Sequence, residues 1–134
     1  MLRVSRPMGF DQYHEPPEEL SQEIRTLARM FASLTEEAEA ISWYEQRLAV
    51  EQDPEARAIV ADARHEEYKH FAMDLEFLFR QRPEWQEIAK GILFQSGPVT
   101  ENAENAESRA DVDDPGPDSG PALELGSLRI GDLR

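Results

Sequence analysis

The chain has 134 residues, 28 of them acidic against 14 basic, a net charge of −14 and no cysteine. That length allows one domain at most, and the missing cysteines exclude a disulfide framework or a thiolate metal site. The acidic surplus opposes binding to nucleic acid or to an anionic membrane, both of which need a basic surface, and suits a protein that attracts cations.

No apolar run approaches the roughly 20 residues of a membrane helix. The opening MLRVSRPMGF lacks the apolar core of a secretion signal. A soluble cytoplasmic protein is expected, with Met8 an alternative start. Residues 1–15 read as a disordered N-terminal extension.

From Pro16 to about Arg82 the pattern is helical. Leu20, Ile24, Leu27, Phe31, Leu34, Ala38, Ile41 and Leu48 recur at steps of three and four. They mark one face of a helix on the order of 45–50 Å long. Pro16 and Pro17 precede it, and Glu18 and Glu19 suit the positive end of its dipole. The pattern breaks at Gln52-Asp53-Pro54-Glu55, where Asp53 can cap a new helix with Pro54 in its first turn. That second helix is predicted from Pro54 to about Arg80. Pro83 opens a shorter third through Trp85, Ile88 and Leu93, ending at Gly97-Pro98.

No strand pattern is present, so the expected class is all-α. The short connection at 51–53 makes the two long helices antiparallel neighbours, in a helical domain over 16–98. Their outward sides remain apolar, and a lone hairpin is a marginal fold. The chain is therefore expected to be half of a four-helix bundle, completed by dimerisation. Residues 99–122 carry almost no large apolar side chain and are expected to form an acidic disordered linker. Apolar residues return in LELGSLRIGDLR, residues 123–134, which reads as a docking peptide at the end of a disordered tail.

The chemistry lies on the second helix. Ala56, Val60, Ala63, Glu67, His70 and Asp74 share one stripe, and Glu67 and His70 occupy positions where an apolar residue belongs. Residues at i and i+3 lie on one face, so a Glu-x-x-His pair can bring carboxylate and imidazole to one ion. Di-iron carboxylate bundles use a Glu from each of two helices and Glu-x-x-His from each of the other two. This hairpin offers one such pair, plus Glu37 beside the apolar seam of the first helix. A two-fold dimer would complete both the ligand set and the core. A glutamate-paired core histidine is the competing reading of Glu67 and His70, and Glu66 reads as an ordinary surface acid.

EEAEAISWYEQR (36–47), DPE (53–55), HEEYKHFAMDLEFL (65–78) and LFQSGPVT (93–100) resemble the encapsulated ferritins, ferritin-like proteins packaged inside encapsulin shells. The terminal LGSLRIGDLR is similar to the peptide by which such cargo docks on the shell interior. The resemblance implies a two-helix protomer that dimerises into a ferritin-like four-helix bundle with a di-iron ferroxidase centre, the dimers assembled into a ring, usually a decamer. It implies Glu37, Glu67 and His70 as iron ligands from both chains. It also puts Trp43 and Tyr44 close to the centre, with Tyr44 a candidate catalytic residue, and Glu36 and Glu39 on the route of iron entry. Leu125, Leu128, Ile130 and Leu133 would contact the shell protein, placing the molecule inside an encapsulin compartment in the cytoplasm. The resemblance would put a histidine where this chain has Asp62 and an acidic residue where it has Lys69. Alternatives are a ferritin-like peroxidase, a manganese protein, or a catalytically silent helical adaptor.

Overall fold

The computed structural model describes residues 13–113, and these are helical with no strand among them. After a 3-10 turn at Pro17–Glu19, helix α1 spans Gln22–Val50, α2 Pro54–Gln81, α3 Pro83–Ile92 and α4 Val99–Asp113. The all-α class and the long hairpin are as expected. No helix among the described residues is long and apolar enough to cross a membrane.

Helix α1 starts later than the proline pair suggested. Pro16 and Pro17 favour the tight 3-10 turn, and the Arg25 side chain donates to the Pro17 carbonyl from below. Ser21 then caps α1, its hydroxyl accepting from the Ile24 amide at 3.2 Å. Such a cap is worth about 1 kcal/mol. Glu23, rather than Glu18 or Glu19, is the acid in the first turn. With 29 residues, α1 is about 43 Å long.

The hairpin closes through charged groups. The Asp53 carboxylate accepts from the Ala56 amide at 3.0 Å and caps α2, while Glu51 Oε1 accepts from the amides of Gln52 and Asp53. Arg57 reaches across the connection to the carbonyls of Leu48 and Glu51, which are left free at the end of α1. One turn further along, Glu45 accepts from Arg64 at 2.8 Å and from Tyr68 at 3.0 Å. Stepping back along α1 thus matches stepping forward along α2, and the pair is antiparallel.

The buried apolar residues of the hairpin are Leu27, Ala32, Leu78 and Phe79, all at its open end. From Ser33 to Phe77 none is fully buried. Trp43, Ile59 and Met73 are each more than half exposed. The hairpin presents apolar surface that it does not cover.

The compact units divide between Gln81 and Arg82, inside the stretch expected to be one domain over 16–98. The second unit also holds the main correction. Helix α3 stops at Ile92, with Leu93 already extended, and Val99–Asp113 is helix α4 where a disordered linker from 99 was expected. The composition rule for disorder counts large apolar residues. Here small ones suffice, because Ala103, Ala106 and Ala110 recur at helical spacing and α4 lies very close to α3. A Cβ added at Gly91 would stand 2.5 Å from the Ala106 Cβ, and Ala106 is 5% exposed. Glycine is what permits this approach. Gln95 donates to the Lys90 carbonyl and Asn102 to the Ser96 carbonyl, tying the intervening turn. Residues 1–12, most of the expected extension, 114–122, the rest of the expected linker, and 123–134, the expected docking peptide, lie outside the described residues.

Candidate metal centre

Near the middle of the hairpin the helices converge on one another's acids. Glu37 from α1 and Glu67 and His70 from α2 each offer a ligand atom, and these atoms lie within 4.8 Å of one another. The i,i+3 spacing on α2 aims Glu67 and His70 the same way, and the antiparallel register carries Glu37 to them. All three are half-buried.

The distance from Glu67 Oε2 to His70 Nδ1 is 3.7 Å. That is too long for a hydrogen bond, so the two do not satisfy each other as a paired core histidine and glutamate would. It is close to the spacing of two donors on one ion. With bonds of about 2.0–2.2 Å, neighbouring ligand atoms lie roughly 3.0–3.6 Å apart and opposite ones about 4.2 Å.

Glu37 is under the most strain electrostatically. Its pKa is raised from 4.5 to about 7, first by burial, then by its carboxyl-to-carboxyl contact with Asp74 and the charges of Asp74, Glu67 and Glu36. Glu37 Oε2 and Asp74 Oδ2 are both closed off from solvent without a hydrogen-bond partner. Two basic side chains of α2 pair with other acids. Lys69 holds Glu66 at 2.6 Å, and Arg64 holds Glu45 at 2.8 Å while lying 5.6 Å above the Tyr68 ring. An orphaned carboxylate oxygen beside a second carboxylate and an imidazole is an arrangement that a divalent cation would satisfy. The mixed oxygen and imidazole set fits iron or manganese.

Of the seven residues singled out in sequence, the structure thus gathers Glu37, Glu67 and His70. Glu36 and Glu39 are exposed on α1 outside the cluster, although Glu36 is near enough to act on the Glu37 charge. Tyr44 lies two turns from Glu37, half-buried beneath the Arg47 guanidinium at 5.4 Å. Trp43 is exposed and Glu66 is a surface ion pair. Asp74 was visible as a member of the stripe, but its meeting with Glu37 was not.

A helical hairpin with a half-buried glutamate on one helix and Glu-x-x-His on the other shows half the residue pattern of a ferritin-like carboxylate bundle. Comparison with known proteins gives the same class. The chain belongs to the EncFtn-like family, whose model matches residues 12–96. It is 45% identical over 91 residues to a ferritin-like protein of Thermotoga maritima, covering 68% of this chain and 80% of the relative. It is 41% identical over 123 residues to an encapsulated ferritin-like protein of Rhodospirillum rubrum, covering 90% and 86%. A crystal structure of a Nitrosomonas europaea protein superposes with a TM-score of 0.64 at 43% identity, covering 66% of this chain and 98% of that one.

Proposed function

We infer that the protein is a ferroxidase, taking Fe(II) as substrate and releasing Fe(III) for mineralisation and storage inside an encapsulin shell. The observation that carries this reading is the convergence of Glu37, Glu67 and His70 within 4.8 Å on a hairpin whose apolar side is uncovered. A second copy related by a two-fold axis would double the three ligands into a di-iron set and cover that side. Ring assembly of such dimers follows from the family resemblance. Two Fe(II) ions give up two electrons, which with two protons reduce dioxygen to hydrogen peroxide; peroxide itself could serve as oxidant instead.

This chain's own residues bind and discharge. Glu37 and Glu67 supply hard anionic oxygens, which favour the higher charge of Fe(III). His70 supplies the one neutral donor. The acids Glu36 and Glu39, exposed on α1 beside Glu37, raise the local cation concentration at the approach. The relative from Rhodospirillum rubrum bears the name of an encapsulated protein. By that likeness residues 123–134 would dock this chain on a shell, with Leu125, Leu128, Ile130 and Leu133 as apolar anchors. Many weak tails on one assembly would hold by avidity.

The test combines aerobic Fe(II) addition, followed by near-ultraviolet absorbance, with native mass spectrometry with and without Fe(II). Oxidation faster than a protein-free blank, and dimers or rings that gain iron in pairs, are expected. Oxidation no faster than the blank would overturn the reading. Turnover of peroxide with bound Mn(II) in its place would select the peroxidase or manganese alternative, and binding to a shell without turnover the adaptor.

A further inference from the structure

The turn between α3 and α4 holds the described residue whose conformation the fold itself explains least. Phe94 is the one non-glycine with a positive φ among the described residues, at +61°, and its side chain is fully exposed at 104%. A bulky residue is an outlier in that left-handed region, which glycine or asparagine adopts at lower cost. The turn nevertheless enforces it. The Leu93 amide donates to the Ala89 carbonyl at 2.8 Å, and the side chains of Gln95 and Asn102 hold the carbonyls of Lys90 and Ser96. Gly97 takes a second left-handed position at φ +93°. Leu93 and Val99, at the two ends of the turn, are exposed as well. A fully exposed aromatic in a strained turn adds nothing to the packing of its own chain, and such outliers gather where a partner is gripped.

The same helix pair leaves a groove of about 600 Å3 unfilled. Gly91, Ala106 and Ala110 line it, so a guest can come close to both backbones, and the Glu87–Lys90 ion pair and Arg109 border it. Arg109 makes no ion pair among the described residues, which leaves its guanidinium free to lie over an aromatic ring. Gln95 borders this groove, whereas its neighbour Phe94 lies outside it. An unfilled groove and a projecting ring thus occur together on one helix pair. A second copy satisfies both at once, since the two-fold rotation that seats one ring seats the other. Any other partner would fill the groove and leave the ring bare, or the reverse.

We propose that Phe94 is an assembly anchor, each of two chains seating its Phe94 ring in the α3–α4 groove of the other about a two-fold axis. No residue of the metal centre takes part, so the contact stands independently of the ferroxidase reading. Two rings bury far less than the roughly 1,200–2,000 Å2 of a stable interface. The anchor therefore acts together with other contacts between chains and strengthens the assembly they begin.

The test is native mass spectrometry of the full-length protein over a range of concentrations, with one variant isotopically labelled to tell mixed pairs from like pairs. Phe94→Asn removes the ring and keeps a residue suited to the left-handed turn, and Ala110→Phe fills the groove from its own chain. Each alone should weaken assembly about 10- to 100-fold, with helix content by circular dichroism unchanged. Mixing the two should recover part of the loss, because a mixed pair retains one ring and one open groove. Phe94→Asn is decisive by itself if Ala110→Phe fails to fold. Assembly of Phe94→Asn as strong as the wild type's would overturn the proposal, and so would a wild type that is monomeric at every concentration. Lost helix content in Phe94→Asn would overturn it too, by making the ring part of the protomer's own fold. So would the absence of any recovery on mixing two folded variants, since the contact would then not be reciprocal.

Discussion

In metal-free protein the Glu37 carboxyl should make stability fall as pH rises through a defined window. In the unfolded chain it titrates near 4.5, and in the folded hairpin near 7, because it is desolvated and faces Asp74, Glu67 and Glu36. The folded state binds the proton more tightly. Its contribution is therefore full below pH 4.5 and is lost progressively between 4.5 and about 7. At 1.36 kcal/mol per pH unit the ceiling is about 3 kcal/mol. Solvent screening at a half-buried position reduces this to about 1–2 kcal/mol, or roughly 5–15 °C in Tm for a domain of this size. Thermal unfolding of chelated wild type and Glu37→Gln, followed by circular dichroism from pH 4 to 8, isolates the effect, since other titrating groups are common to both. Glutamine has the same shape, bears no charge, and can donate to Asp74. The two proteins should melt together at pH 4, and the variant should melt higher at pH 8. Parallel profiles across the range would refute the argument, because the cost assigned to ionised Glu37 would then be absent.

Glu37→Ala, Glu67→Ala and His70→Ala should each lower Fe(II) oxidation by more than the roughly 100-fold that an outer partner of a ligand can cost, with helix content unchanged, while Glu66→Ala oxidises Fe(II) as the wild type does. Bound divalent metal should reverse the pH trend, because a cation replaces the proton at Glu37; chelator-sensitive melting at pH 7.5 checks this. Gly91→Val should destabilise the α3–α4 pair by about 1–3 kcal/mol through the Ala106 clash, seen as faster amide exchange over residues 82–113 with the hairpin protected. Deleting residues 123–134 should leave Fe(II) oxidation intact while abolishing co-purification with a co-expressed shell; a truncated protein that is still packaged would remove the tail from that role.

The sequence by itself determined the helices and the stripe. Apolar residues at steps of three and four define a helical face regardless of what lies opposite, and Asp53-Pro54 stops one helix and caps the next through contacts a few residues long. Glu67 and His70 were legible for the same reason, as polar residues on an apolar stripe of one helix. What crosses between helices was not. Glu37 reaches the pair, and Asp74 reaches Glu37, only because the three-residue connection and the Glu45–Arg64–Tyr68 clasp set one antiparallel register. A slip of one turn would put other residues face to face without altering either helix's own pattern. Helix α4 escaped for a related reason. Composition predicts whether a segment can bury large side chains, but Ala106 is buried by backbone proximity, and that depends on Gly91 fifteen residues earlier being opposite it. Local periodicity is written along the chain, whereas closeness between elements is a property of the fold, and the charge strain on Glu37 arises from that closeness.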